Sequence, residues 1–478
     1  MRKENIYMNA KKLIAGGMAA LMLAGGALGV PAQAQAGALQ QKADLDLDKN
    51  EGQNLSEQMP EGGMRTEFIK ADAFRGAGTW SLRNLQETPP YSLAASEWAA
   101  SGNDYYFSLL NAAEKKLYLN LKKQADLYMT GMDNFLLTEA VRDGQTVKAY
   151  VLPLISYEGL STEQMKKVFC CFLFENPQYY FIRNSVIYSE NTNMMTAGLY
   201  EMFADGAVRA EYTAQFAEQL KIWDGQIAEM ETAAEKERLI HDIVCGHADY
   251  NSSAVVDDPQ DPEMSQSCIS AVLFSRTTVC AGYAQLFTLL CSRAGISCVT
   301  VTSDTHAWNK VRMGSVWYNV DCTWNDSRGD DTFFNVTDEQ LKAADTEKQE
   351  HTPSAEWENR VPSCTVLFDT EMANGPDLDA NVLAPAGVPV IADASSTEKG
   401  ALAVSFSQVE ECDGYSVQYA VNGAMLSAAK ADTENLSCLI AGLKSGKTYY
   451  VRVRAYELDR NGEKLYGAYS GKVKAVIL

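Results

Sequence analysis

The chain has 478 residues and a formal net charge of −21, from 41 basic and 62 acidic side chains. That length predicts more than one domain, and a 46% apolar fraction supplies cores of ordinary size. The acidic balance excludes nucleic-acid binding through a basic face, disfavours docking on anionic membranes, and fits a soluble exported protein.

Residues 1–36 have the layout of a secretory signal peptide. Arg2, Lys3, Lys11 and Lys12 give a basic start, Leu13 to Val30 is apolar, and Ala32-Gln33-Ala34 and Ala34-Gln35-Ala36 both fit small-residue cleavage. A retained anchor is the alternative, disfavoured by the glycine content of the run. Removing four basic residues and one acid takes the −21 to −24. Residues 37–90 are expected to be a disordered acidic spacer, transitional from about residue 65. Inside it, Asp46 to Glu57 has acids at calcium-loop positions, but Glu51 stands where that loop needs glycine, so no calcium site is assigned.

Residues 91–230 are expected to form a mainly helical region. Ala112 to Met129 has helical spacing, Thr146 to Leu154 is a short strand candidate, and Ser161 with Gln164 offers a capping box. Pro177 ends that helix, and Tyr179 to Tyr188 is strand-like. Thr213 to Cys245 is helical in two pieces. His241 and His247 flank Cys245, but one helix cannot aim all three at one ion, so no metal site is assigned. Asp257 to Ser267 is a loop rich in Pro, Asp and Ser.

The stretch from Thr277 to Asp326 carries the chemistry. Cys280, Tyr283, Ala284, Phe287, Leu290 and Cys291 recur at helical steps, and Gly295 is a helix stop. Ile296–Thr302, His306–Met313 and Val316–Trp324 are strand-like, with Gly314-Ser315 as a hairpin turn. Cys280 therefore sits at a helix start, where unpaired amides and the macrodipole favour thiolate and can receive an oxyanion. A two-residue turn pairs Met313 with Val316 and puts Trp308 opposite Asp321. His306 and Asp321 are then diagonal neighbours on one face. The other face, with Ala307, Val311, Met313, Val316, Tyr318 and Val320, is expected to pack on the core. A thiol, an imidazole and an orienting carboxylate are the parts of thiol acyl transfer, which needs no metal.

The words VCAGYAQLF, HAWNKV and WYNVDCTWND occur in the order and spacing of the transglutaminase-like superfamily, which the stretch resembles. The resemblance implies a papain-like α+β core over residues 231–367. It also implies Cys280 as nucleophile, His306 as general base and acid, and Asp321 as the residue holding the imidazole. The EKERLIHDIVCGHADYN run resembles the family's helix leading into that core. NPQYYFIR is similar to the region before it in secreted bacterial relatives. Cys291, Cys298 and Cys322 are expected to be buried small hydrophobes. Trp308, Trp317, Tyr318 and Trp324 are expected to be core or wall, and Asn309 a strand-edge polar residue.

Eleven cysteines at irregular spacings do not form a disulfide framework, with Cys412 and Cys438 as the pair to check. Phe333-Phe334 is expected to close the core sheet. Arg328-Gly329-Asp330 is a chance tripeptide, and residues 368–384 are a linker. From Pro385 onward the pattern becomes short alternating strands. ALAVSF and GYSVQYAV alternate, and LKSGKTYYVRVRAY with the final YGAYS resembles a fibronectin type III domain over residues 385–478, with Phe406 where that family usually carries Trp. Leu443 and Tyr449 fit a tyrosine corner.

The fold class expected is thus α+β, with a helical N-terminal region, a papain-like core and an all-β C-terminal sandwich. The function expected is secreted or cell-surface thiol acyl transfer on peptide or amide bonds, without a cofactor. Its partner would be a protein or peptide substrate, including cell-wall peptide. It would use no nucleic acid and no membrane insertion after signal removal. Hydrolysis and transamidation stay open, and the alternative is a non-catalytic surface scaffold using the sandwich.

Overall fold

The computed structural model describes residues 64, 66–75, 98, 101–142, 145–251, 265–274, 276–346, 350–375, 385 and 387–478. The signal-peptide and calcium-loop readings, and most of the loop 257–267, lie outside the described residues. Two short strands come first, β1 (Glu67–Lys70) and β2 (Ala73–Arg75). They join a seven-stranded sheet with β3 (Leu136–Arg142), β4 (Gln145–Val151), β5 (Ile155–Ser156), β6 (Ile182–Ser189) and β7 (Met194–Leu199). Its order is β1-β6-β7-β4-β3-β2, with β5 on β7. β1 runs parallel to β6 and β2 antiparallel to β3, so one continuous segment pairs with both ends of the sheet. Two expectations are corrected here. Residues 67–75 are strand rather than spacer, and the region 91–230 holds a sheet as well as helices. β1 pairs with a strand more than a hundred residues away, a signal that side-chain periodicity in a window does not carry.

The helices of this region are α1 (Tyr105–Ser108), α2 (Ala112–Thr130), α3 (Thr162–Glu175) and α4 (Gly206–Ala228). Both α2 and α3 start on full capping boxes, Asn111 with Glu114 and Ser161 with Gln164, as the second sequence signal predicts. α3 stops at Asn176, before Pro177. Its last residue, Glu175, is buried and accepts from the Tyr106 and Phe107 amides and the Tyr118 hydroxyl. Burial pushes its carboxyl up to about 8.

The next unit holds α5 (Ala233–His247), β8 (Asp249–Tyr250), α6 (Cys268–Val272), β9 (Thr277–Thr278), α7 (Cys280–Arg293), β10 (Cys298–Thr302), β11 (Ala307–Met313), β12 (Val316–Val320), α8 (Cys322–Arg328), β13 (Phe334–Val336) and α9 (Asp338–Ala344). The last four strands make an antiparallel sheet in the order β10-β11-β12-β13, and α7 lies against β10 and β11. Gly295 ends α7 at φ +74°, with its own amide on the Ser292 carbonyl and the Ile296 amide on that of Cys291. The hairpin has the predicted register, Met313 opposite Val316 and Asn309 opposite Val320. Gly314 supplies the positive φ of +59° that the tight turn requires.

Both faces of this hairpin are buried. Ala307, Val311, Met313, Tyr318 and Val320 lie in the main core. On the other face Lys310 donates to Asp338 Oδ1 (2.9 Å) and the Pro362 carbonyl (2.7 Å), beneath the chain that follows β13. The expected strand Val316–Trp324 is shorter than predicted. It stops at Val320, because the Asp321 carboxylate accepts the Trp324 amide (3.1 Å) and starts α8. Gly329, at φ +66°, ends that helix, which gives the Arg328-Gly329-Asp330 tripeptide a local structural role. The expected linker also begins later than residue 368. A short helix α10 (Thr370–Ala373) buries Ala373, and Asn374 accepts the Ala234 amide at the start of α5.

The C-terminal strands form two sheets. One is β14 (Ile391–Ser395), β15 (Leu402–Phe406) and β18 (Ser437–Ile440). The other contains β16 (Gly414–Ala420), β17 (Ala429–Thr433), β19 (Thr448–Leu458), β20 (Lys464–Tyr466) and β21 (Val473–Val476). Tyr449, Val451, Val453 and Ala455 face the shared core. Arg452 and Arg454 lie over the rings of Tyr469 and Tyr466 on the outside. The Tyr449 hydroxyl accepts the Lys444 amide (3.3 Å), which closes the tyrosine corner one residue after Leu443. Cys412 and Cys438 are unlinked, and no disulfide joins any of the eleven cysteines. The sandwich meets α2 through buried Lys115, which donates to Asp413 (3.0 Å) and Glu457 (2.8 Å).

Candidate active site

Cys280 is the first residue of α7, as its spacing predicts. Val279 precedes it in extended backbone and brings no capping side chain. The thiol therefore lies at the positive end of a fourteen-residue helix. Gly282 lets β9 come close to this end. A Cβ there would stand 1.8 Å from Thr278 Oγ1, a hydroxyl already donating to the Ser265 carbonyl (2.6 Å).

His306 sits just before β11, held by a turn in which Ser303 N–H donates to the His306 carbonyl (2.9 Å) and Ser303 Oγ accepts the His306 amide (3.0 Å). Its Nε2 donates to Asp321 Oδ2 at 2.7 Å. Its ring lies parallel to that of Trp308 and edge-on to Trp324. Burial works against a charge on His306. The carboxylate of Asp321 and the sulfur of Cys280 outweigh it and hold the imidazole pKa well above the usual histidine range. Burial likewise opposes the Asp321 charge, and His306 then His351 hold that carboxyl well below its usual range. The structure thus brings Cys280, His306 and Asp321 together. Asn309 is not at a strand edge: it is buried and donates to the Ala284 carbonyl (3.0 Å) and Thr288 Oγ1 (2.9 Å), tying β11 to α7.

Two features depart from the sequence reading. The helix start that the sequence reading offers to an oxyanion is covered, with Cys280 1% exposed and His306 4%. The other departure is His351, which no pattern singled out. Its Nε2 is 2.8 Å from Asp321 Oδ2 and its Nδ1 2.9 Å from Asp345 Oδ2. The sequence offers one hint, its rarity, since the chain has four histidines.

Among the described residues two clusters have metal-ligating atoms within 4.8 Å of one another: His306, Asp321 and His351, and His241, Cys245 and Cys322. In the first, N-to-O distances of 2.7 and 2.8 Å are those of shared protons. Two ligands on one tetrahedral zinc, each bonded at about 2.0–2.1 Å, stand farther apart than that. In the second, His241 Nε2 is 3.5 Å from Cys245 Sγ and 3.0 Å from Asn325 Nδ2. His247 has no part in it, since its Nε2 faces the Val272 carbonyl (3.2 Å) and burial drives its pKa down to about 4. Burial lowers the His241 pKa, and Cys245 and Asp242 together lift it to about 9. Asn325 argues the other way. The Phe333 amide on its Oδ1 (2.8 Å) fixes its amide to donate to Nε2, so the hydrogen bonds favour the neutral ring.

Residues 221–322 match the family model described as the transglutaminase-like superfamily. The chain is 30% identical over 127 residues to the kyphoscoliosis peptidase of Mus musculus, covering 23% of this chain and 19% of that protein. It is 30% identical over 114 residues to the kyphoscoliosis peptidase of Homo sapiens, covering 20% and 17%. The matches thus span about a fifth of those relatives' length. Among solved structures, the fibronectin type III domain of human contactin 1 is 18% identical, with a TM-score of 0.18, covering 20% of this chain and 79% of that one. A Fn3-like protein from Clostridium thermocellum is 14% identical, with a TM-score of 0.17, covering 20% and 95%. The match to a transglutaminase-like domain is thus confined to residues 221–322.

Proposed function

We propose that this transglutaminase-like domain works as a thiol acyl-transfer enzyme on peptide or amide bonds through Cys280, His306 and Asp321. The observation that carries the proposal is the 2.7 Å hydrogen bond from His306 Nε2 to Asp321 Oδ2, on an imidazole whose proton affinity is raised in part by the Cys280 sulfur. The Cys280 thiolate adds to the amide carbonyl, and the tetrahedral oxyanion forms beside the α7 start. His306 gives its proton to the departing amine as the C–N bond breaks, leaving a thioester on Cys280. Water or a second amine, deprotonated by His306, then attacks the thioester and frees the thiol. Asp321 holds the imidazole in one orientation throughout and stabilises its charge. The relatives are named as peptidases, which favours water as acceptor. With the signal-peptide reading of residues 1–36, the enzyme acts outside the cell or at its surface, on protein or cell-wall peptide.

The 1% exposure of Cys280 supports a second reading, a fold kept for binding, with the sandwich as its working part. Catalysis requires the cover over the thiol to move. The two readings separate in one experiment. The full chain and its Cys280→Ser variant are incubated with a peptide mixture, with and without a primary amine, and products are read by mass spectrometry. Cleavage by the wild type alone identifies a peptidase, and amine adducts identify a transglutaminase. A wild type no different from Cys280→Ser leaves the binding reading.

A further inference from the structure

We infer that His351 is a positioning residue that locks the Asp321 carboxylate in place by sharing its Oδ2 with His306. The inference rests on the acyl-transfer reading and deepens it. Asp321 has three donors around it. The Trp324 amide is on Oδ1 (3.1 Å), and His306 Nε2 (2.7 Å) and His351 Nε2 (2.8 Å) share Oδ2. His351 is fixed in turn. Asp345 Oδ2 meets both its Nδ1 (2.9 Å) and its backbone amide (3.0 Å). The Ser354 amide donates to the Thr302 carbonyl (3.0 Å) and ties this part of the chain to the end of β10.

Packing leaves the ring little freedom. Its side chain is 1% exposed. Phe333 stacks on it at 5.4 Å with an interplanar angle of 14°, and Trp308, Trp324 and His306 meet it edge-on at 5.0 to 5.2 Å. A carboxylate with a single imidazole partner can rotate about its Cβ–Cγ bond and present either oxygen. With the Trp324 amide on one oxygen and two imidazoles on the other, one of them immobilised, that rotation breaks three hydrogen bonds. His351 thereby fixes the direction in which His306 is held, and through it the ring face offered to Cys280. His351 itself lies beyond residue 322, where the family match ends.

The test is the rate of Cys280 alkylation by iodoacetamide at pH 6, followed on the full chain by peptide mass spectrometry. The proteins compared are the wild type, His306→Ala, His351→Leu, His351→Gln and Asp345→Asn, each with a thermal melt. His351→Leu is expected to slow Cys280 about 10- to 100-fold, leaving the other ten cysteines unchanged. His351→Gln keeps an N–H toward Asp321 and is expected to recover about tenfold of a 100-fold loss, which a space-filling role would not give. Should His351→Leu fail to fold, Asp345→Asn decides: slower alkylation at an unchanged melting temperature supports the inference, and an unchanged rate overturns it. A slow His306→Ala beside a wild-type rate in folded His351→Leu sinks the role of His351 alone. A Cys280 that is equally fast in wild type and His306→Ala removes the acyl-transfer reading itself, and this inference with it.

Discussion

Two thiol–imidazole–carboxylate sets lie in one core: Cys280, His306 and Asp321, and Cys245, His241 and Asp242. Both thiols and both imidazoles are buried, and each imidazole has a carboxylate on one nitrogen. They differ in where the thiol stands on its helix. Cys280 is the first residue of α7, at the positive end. Cys245 is in the last turn of α5, at the negative end, with its sulfur facing the Cys322 carbonyl at 3.4 Å. Hydrogen bonding with Cys322 lowers the Cys245 pKa to about 7 against the effect of burial, yet the His241 lone pair is engaged by Asn325. The same residue types thus stand at a helix start in one place, the proposed nucleophile, and in a satisfied polar knot in the other. Helix polarity and the third partner decide which.

The sharpest way to break this contrast is to remove each sulfur. Cys280→Ser is expected to lower turnover of whichever peptide the wild type processes by at least about 10³-fold, and Cys245→Ser by less than about threefold. Comparable losses from the two would erase the distinction. A subtler pair of variants acts on the carboxylate. Asp321→Asn keeps a good cap for α8 and loses the charge, whereas Asp321→Ala loses both. Both are expected to cost about 10²-fold or more in turnover, with Asp321→Ala alone also losing about 1 kcal/mol of stability in urea melts. The proposed mechanism needs a protonated His306, so rate is expected to be lost as pH rises through the His306 pKa. With burial opposed and outweighed by Asp321, that alkaline limb lies above the ordinary histidine value of about 6.5. Asp321→Asn moves it down, and a pH–rate profile with the limb unmoved would detach Asp321 from His306.

The smallest effect belongs to the second set's neighbour, Glu237, one turn before His241 on α5. It is buried, accepts from Asn335 (2.8 Å), and burial pushes its carboxyl up to about 7. The folded state therefore binds a proton that the unfolded chain has released, and stability falls as pH rises from about 4.5 to about 7. Glu237→Gln is expected to stabilise the chain by about 1–3 kcal/mol at pH 8 and not at pH 4, with no change in turnover. Equal gains at both pH values would show packing rather than ionisation at work.

What the sequence made legible was local. The Ser161 capping box, the Gly295 stop and the two-residue turn each act within a few residues, and the hairpin register followed from the turn alone. With it came the approach of His306 to Asp321. What stayed hidden was assembled from distance. His351 reaches Asp321 from thirty residues away in the chain, the strands at 67–75 find partners far downstream, and the hairpin's polar face is covered by the segment around Asp338 and Pro362. No periodicity announces a side chain delivered by a later loop.

The pairing of one short segment with both ends of the seven-stranded sheet has a practical corollary. Glu67–Arg75 acts like a zip pull: while it is present, β6 and β3 each have their outer neighbour, and once it is cut away both lose it together. N-terminal shortening of this chain is therefore a threshold affair. Cutting into residues 67–75 bares two unpaired borders at once, the kind of surface on which chains stick to one another.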